Sequence, residues 1–478
     1  MRRALPYRPR FNAPPNPEPR PRPKAPGRPR TTISTGVLVF LCAVVLFAIL
    51  ARSVQAQEKG RDGGSPFDSA LAVATADSAW SRVAQTYYDS TFHGNDWSAV
   101  RRELRARAER ARSMPEVRAA IEAMFARLGE SHFVLVPSER TVGDSETLDE
   151  GAVVGDVGLE LRRLDGTMVV SRVVPGSPAE RAGVHPGWTL ERLDGLDVHD
   201  FSRTRLQALS PSARRLAELQ LPLALMGRAQ GRVGSIVPIV LRDGEGATRQ
   251  MMLRRAAIDG EVVRMGHLPP LVVRVESERR DDAEGCVGVL RFNIWMTPVM
   301  PRVDEAMVAF RECRGVVLDL RGNVGGVAAM VMGLGGYFLD SVSSLGTMTT
   351  RRGTMRYVSN PRRSDRQGRA LTPFAGPVAI LVDGLSVSTS EIFAAGLQAL
   401  GRARVFGAPT AGQALPSMVA QLPNGDVMQY VVADFSGPDG RRIEARGVTP
   451  DVCIPLRRQA LLAGRDEVMD AAVRWMGQ

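Results

Sequence analysis

Apolar and polar positions change period several times along the chain, and each change marks a different kind of element. Over residues 65–128 apolar residues recur at intervals of three and four, with Arg and Glu opposite, which predicts a helical N-terminal region. Residues 128–137 (LGESHFVLVP) pass from helix through a glycine into a strand and leave Ser131 and His132 on the connecting turn. Within residues 151–257, VGLEL at 157–161 starts a strand, and TMVVSRVVPGSPAERAGVHPGWTLERLDG follows at 167–195. A helix over 209–227 and a closing hairpin in GSIVPIVLRDGEGATRQMMLRR complete that stretch. From residue 262 onward, runs such as CVGVLRFNIW and GVVLDL alternate with helical stretches such as RVDEAMVAFRECR. That alternation predicts a layered α/β core of residues 262–478 with parallel strands.

The N-terminal stretch differs in kind. Residues 1–31 are rich in Pro and Arg and predict a disordered basic tail. Residues 37–51 (VLVFLCAVVLFAILA) form an uninterrupted apolar run, short for a spanning helix and suited to a signal peptide. Val54-Gln55-Ala56 follows with small residues where a signal peptidase would cut. Residues 32–56 are therefore read as a signal peptide or an N-terminal membrane anchor, which places everything after them outside the cytosol, in the periplasm or cell envelope. The net charge of +11 is largely a property of this tail: residues 1–30 carry eight Arg, one Lys and one Glu. It therefore supports no nucleic-acid role.

Candidate chemistry sits in residues 377–413 (PVAILVDGLSVSTSEIFAAGLQALGRARVFGAPTAGQ). They read as a buried strand over 377–382, a tight turn, a helix over 389–400 and a second strand over 402–406. The turn holds Ser386, Ser388 and Ser390. A serine at a strand-to-helix junction can present its hydroxyl beside unpaired amide N–H groups. The same spacing, Ser388-x-x-Glu391, is also a capping box with no chemistry attached. A second glycine-rich turn, GVVLDLRGNVGG at 315–326, lets backbone approach a ligand closely.

Strand–DLRGNVGG–helix followed by strand–SVSTSE–helix resembles the C-terminal processing (tail-specific) and tricorn-core serine peptidases, and the likeness extends over about residues 65–455. It implies a ClpP/crotonase-like catalytic core with an inserted PDZ-like β domain at 151–257 and a helical cap at 65–150. The middle serine of the motif maps onto Ser388 as nucleophile, with the N–H groups of Thr389 and Gly326 as oxyanion hole. Tricorn-type members place a Ser–His pair where Ser131 and His132 stand, with an acidic partner matching Glu444. The PDZ likeness implies capture of peptide or protein C-termini at Val157, Gly158 and Leu159.

The family uses either a lysine or a histidine as base, and counting separates the two. Only Lys24 and Lys59 occur, both ahead of the folded region, and position 413, where the resembled lysine would stand, is Gln413. A Ser/Lys dyad is excluded. The histidines are His93, His132, His185, His199 and His267. His132 matches the family position, and His267 is its rival as base. The cysteines (Cys42, Cys286, Cys313, Cys453) lack metal-ligand spacing, so no metal or cofactor is expected; one disulfide with a free thiol and three buried thiols both stay open. Two further readings compete with an exported serine endopeptidase: a non-catalytic peptidase-like binding protein of the cell envelope, and a crotonase-type enzyme sharing only the oxyanion-hole core.

Overall fold

The core sheet grows outward from two strands that bury every residue, Gly315–Asp319 and Val378–Val382. Runs of Val, Leu and Ile are buried on both sides where helices cover both faces of a parallel sheet. The computed structural model describes residues 67–138, 154–207, 209, 211–264, 270–365 and 367–478. The basic tail, the apolar run, Ala56 and His267 lie outside these residues. Among the described residues, no helix is long and apolar enough to cross a membrane.

The core sheet runs Val275–Asp282, Gly285–Phe292, Gly315–Asp319, Val378–Val382, Arg404–Gly407 and Val452–Cys453. Its first pair is antiparallel and the others are parallel. Alternate residues divide its faces. Leu290, Leu318 and Ile380 join the main apolar core, whereas Val289, Val317 and Leu381 pack on the C-terminal helix Glu467–Met476. A slip of one residue would exchange the two sets, so burial on both faces holds the register. The mixed α/β architecture matches the expected fold class.

The N-terminal region is helical, as its period predicts: Ser69–Thr86, Trp97–Arg110 and Met114–Ala126. Asp68 and Asp96 cap the first two by accepting from backbone N–H groups of the first turn. Their apolar faces, including Val83, Leu104 and Ile121, enter the same core as Leu318. The strand after His132, Val134–Val136, pairs antiparallel with Val427–Val431. This pairing joins the histidine turn to the closing part of the chain across some 290 residues of sequence.

A separate apolar cluster, including Leu161, Val170, Ile239 and Leu253, lies in an antiparallel module. Its sheet runs Leu159–Leu164, Thr167–Val173, Thr189–Leu193, Ile236–Arg242 and Thr248–Arg254, and helix Pro211–Ala229 packs beside its first strand. Cys286 and Cys313 form a disulfide, and Cys453 is free and exposed, which selects the first of the two cysteine readings.

One ion pair fastens the helical region to the hairpin. The Arg118 guanidinium contacts Asp426 through two nitrogens at 2.8 and 2.9 Å, and the Asp426 side chain is wholly buried. Arg118→Ala strands that carboxylate and is expected to lower stability by about 3–5 kcal/mol, read from the urea midpoint. Arg118→Lys should recover only part, because an ammonium lacks the planar fork.

Candidate active site

The serine turn is held by its own hydroxyls, all but one. Ser386 Oγ donates to Leu320 O at 2.8 Å, Thr389 Oγ1 to Gly326 O at 3.0 Å, and Ser390 Oγ to Asn323 O at 3.1 Å. Each bond ends on a carbonyl of the glycine-rich loop, so the two loops are laced together. Ser388 Oγ is fully buried and makes no hydrogen bond of ordinary geometry. Its backbone sits at φ 63°, the left-handed region that a residue with a Cβ adopts at a cost of roughly 1–3 kcal/mol. Gly325 explains how the fit is made: a Cβ there would lie 2.8 Å from Ser388 Cβ.

Of the capping box expected at Ser388-x-x-Glu391, only the carboxylate half makes hydrogen bonds of ordinary geometry. Glu391 Oε2 accepts from the Ser388 N–H at 2.9 Å and the Gln413 N–H at 2.9 Å; Oε1 accepts from the Gly412 N–H and Thr410 Oγ1. Ala414, the next residue, donates its N–H to Glu444 Oε2 at 2.8 Å, and Glu444 Oε1 accepts from the Ser131 N–H at 3.1 Å. Ser131 Oγ meets His132 Nδ1 at 2.6 Å. Three consecutive amides, Gly412 to Ala414, thus bridge two buried carboxylates and connect the serine turn to the histidine turn.

The structure therefore brings Ser131, His132 and Glu444 together and ties them to the Ser388 turn through Glu391. Ser388 and His132 do not hydrogen-bond directly: Ser388 Oγ and His132 Nε2 are both buried without a partner among the described residues. Glu444 is withdrawn from solvent. It is buried in a turn whose next residue, Ala445, has φ 64°. Burial pushes the Glu444 carboxyl up to about 7, with nearby Glu391 adding to the rise against the hydrogen bonds from Ala414 and Ser131. Burial also raises Glu391 and pushes the His132 imidazole down to about 3, so His132 is neutral at pH 7.

Thr389 opens the serine helix Thr389–Ala399, where a first-turn N–H has no carbonyl four residues back. Around Gly326 the bridge to Trp295 uses the Gly325 carbonyl and the Val327 N–H, both at 2.8 Å, and leaves the Gly326 N–H out of it. Val157 and Gly158 are differently placed: Asp156 Oδ1 accepts from both of their N–H groups, at 2.6 and 3.0 Å. Leu159 begins the first strand of the antiparallel module.

Sequence reasoning missed several residues. Glu391 was legible only as a cap. Glu130, next to Ser131, accepts from Tyr87 Oη at 2.5 Å, Tyr88 Oη at 2.6 Å and Arg442 at 2.5 Å, so the histidine turn is anchored on its other side. Asp383 accepts from Arg162 Nε of the module at 2.7 Å and from the Gly322 N–H at 2.9 Å. Glu130 had one signal, its place beside a Ser–His pair.

Known proteins resemble this chain over much of its length. Residues 286–454 match peptidase family S41, and residues 77–126 match the tricorn protease C1 domain. Carboxyl-terminal-processing peptidase 2, chloroplastic, of Arabidopsis thaliana is 29% identical over 392 residues, covering 79% of this chain and 68% of its own. The carboxyl-terminal-processing protease of a Picosynechococcus strain is 26% identical over 381 residues, covering 79% and 82%. The solved photosystem II D1 C-terminal processing protease superposes with a TM-score of 0.53 at 22% identity, over 85% of this chain and 97% of its own. The solved CPAF S499A mutant reaches 0.54 at 12% identity, over 86% and 97%. The protein is a serine-type peptidase. Its S41 match at 286–454 and its tricorn C1 match at 77–126 make it similar to the carboxyl-terminal-processing and tricorn peptidases.

The raised carboxyl of Glu444 has a signed consequence. The native state keeps a proton that the unfolded chain releases above about pH 4.3. This contribution to stability is full below that value and is lost as pH rises through about 7. The stability difference between wild type and Glu444→Gln, with His132 common to both, should therefore shift against wild type between pH 4.5 and 7.5. Equilibrium denaturation across that range is the check.

Proposed function

We propose that the protein is an exported endopeptidase in which Ser388 is the nucleophile and His132 its general base. The observation that carries this reading is the unbonded hydroxyl of Ser388, alone among the hydroxyls of its turn and held at a strained φ beside a glycine loop. A buried hydroxyl without a partner is expensive unless it is kept for use. The complementary orphan is His132 Nε2. With Nδ1–H donating to Ser131 Oγ, Nε2 keeps a lone pair for the Ser388 proton.

The reaction then follows acyl-transfer logic. A closing movement brings the histidine turn onto Ser388, because each group is unbonded as the structure stands. Ser388 Oγ attacks the scissile carbonyl while His132 Nε2 takes its proton. The N–H groups of Thr389 and Gly326 receive the oxyanion, each contributing about 3–4 kcal/mol. His132 hands the proton to the leaving amine, and water releases the acyl group by the reverse sequence. Glu444, acting through Ser131, stabilises the imidazolium once it has lost its own proton.

Recognition is assigned to the antiparallel module, read as a PDZ-like domain over 151–257 between a helical region at 65–150 and a catalytic core at 262–478. Substrate C-termini would add to the Leu159–Leu164 edge, and a terminal carboxylate reaching the N–H groups of Val157 and Gly158 would displace Asp156. Export rests on the apolar run at 37–51, which also leaves membrane association through that segment as part of the proposal.

Labelling with a serine-reactive fluorophosphonate, run beside peptide hydrolysis, tests the assignment. Ser388→Ala and His132→Ala should each lose labelling and lower kcat by about 10^4 or more. Labelling that survives in His132→Ala moves the base to His267 or a carboxylate. An unlabelled and inactive parent favours the binding-protein reading. Gly325→Ala adds a methyl against Ser388 at a position with φ 89°, and should abolish labelling while the far-ultraviolet spectrum is kept.

A further inference from the structure

Between the antiparallel module and the core sheet lies a cavity of about 530 Å³. Its charged lining is unbalanced: seven arginines against three carboxylates, an excess of four. Four of these arginines are neutralised. Arg291 pairs with Glu160 and Asp319, Arg321 with Asp319, Arg162 with Asp383 and Arg228 with Asp194. Arg255 donates to the carbonyls of Ala229 and Arg228 at the end of helix Pro211–Ala229, with no carboxylate bonded to it. Arg232 and Arg274 have guanidinium groups with no hydrogen bond or ion pair among the described residues.

The three lining carboxylates are already engaged. Glu160 pairs with Arg172 and Arg291, Glu276 with Arg172, and Asp156 holds the N–H groups of Val157 and Gly158. The surplus charge therefore has no counter-ion from the lining itself. One wall of the same cavity begins an open sheet edge. Leu159–Leu164 is the terminal strand of its sheet, and the Leu161 N–H finds only Met226 Sδ, at 3.4 Å. Leu159 and Met226 both line the cavity, beside the apolar surfaces of Leu271, Phe292 and Ile294.

We infer that this cavity receives an acidic peptide tail, laid as an extra strand on the Leu159–Leu164 edge, with its Asp or Glu side chains taken up by Arg274 and Arg232. The inference rests on the proposed peptide-binding role of the module and narrows its substrates to tails with acidic residues near the C-terminus. Arginine suits that task because its planar donors match a carboxylate. A small polyanion would use the same arginines but would leave the open edge and the apolar wall unused, so a peptide is the better fit.

The test uses the full chain carrying Ser388→Ala, so that bound peptide is not consumed and binding is read apart from catalysis. Fluorescence anisotropy compares a labelled ten-residue peptide bearing Asp and Glu near its C-terminus with its Asn and Gln counterpart. The acidic peptide should bind about ten-fold tighter, the size expected of two partly desolvated ion pairs, and the gap should shrink with added salt. Arg274→Gln and the exposed Arg232→Gln should each reduce the preference. Equal binding of the two peptides, or a preference untouched by both variants, overturns the inference. Inorganic phosphate that binds where neither peptide does overturns it in favour of a small anion. Fluorophosphonate labelling of the parent reports separately on the peptidase assignment, so either reading can fail alone.

Discussion

Two buried carboxylates that share one strip of backbone hold the candidate site together. Glu391 takes the N–H groups of Gly412 and Gln413, Glu444 takes that of Ala414, and neither has a cation bonded to it among the described residues. Burying a carboxylate on uncharged donors is costly, and the raised proton affinity of both groups expresses that cost. The return is geometric. The far side of Glu391 holds the Ser388 N–H and the far side of Glu444 holds the Ser131 N–H, so residues about 257 apart in sequence are set by one short segment.

Local strain fits the same picture. Ser388 and His132 both sit at positive φ, as does Ala445 beside Glu444. Such residues persist only when their surroundings over-determine them. Hydroxyl-to-carbonyl bonds from Ser386, Thr389 and Ser390 do so for Ser388. Pairing of Val134–Val136 with Val427–Val431, with Glu130 held by two tyrosines and Arg442, does so for His132.

Much of this was legible in the sequence, and the boundary is instructive. The serine unit was expected as a strand over 377–382, a helix over 389–400 and a strand over 402–406; the structure has Val378–Val382, Thr389–Ala399 and Arg404–Gly407. Continuous apolar runs and glycine punctuation are strong local signals, and so was the absence of a lysine at Gln413. What stayed hidden depends on contacts between distant parts of the chain. Glu391 could be read as a cap, but not as the clasp on residues 410–413. Asp383 gave no sign of receiving Arg162 from the module, and the arginine surplus of the cavity arises only where two folded units face each other. The cysteine pairing was open for the same reason: Cys286 and Cys313 offer no spacing rule and meet through the fold.

That disulfide sits in a telling place. Cys286 lies in strand Gly285–Phe292 and Cys313 just before strand Gly315–Asp319, so the bond closes the crossover that carries helix Val299–Ala309 into a covalent ring. A parallel pair needs such a crossover, and it is a long stretch of chain for a peptidase to leave within reach of its own kind. With the ring closed, a cut anywhere between the two cysteines leaves both pieces attached. A nicked molecule would then keep its size until it met a reductant.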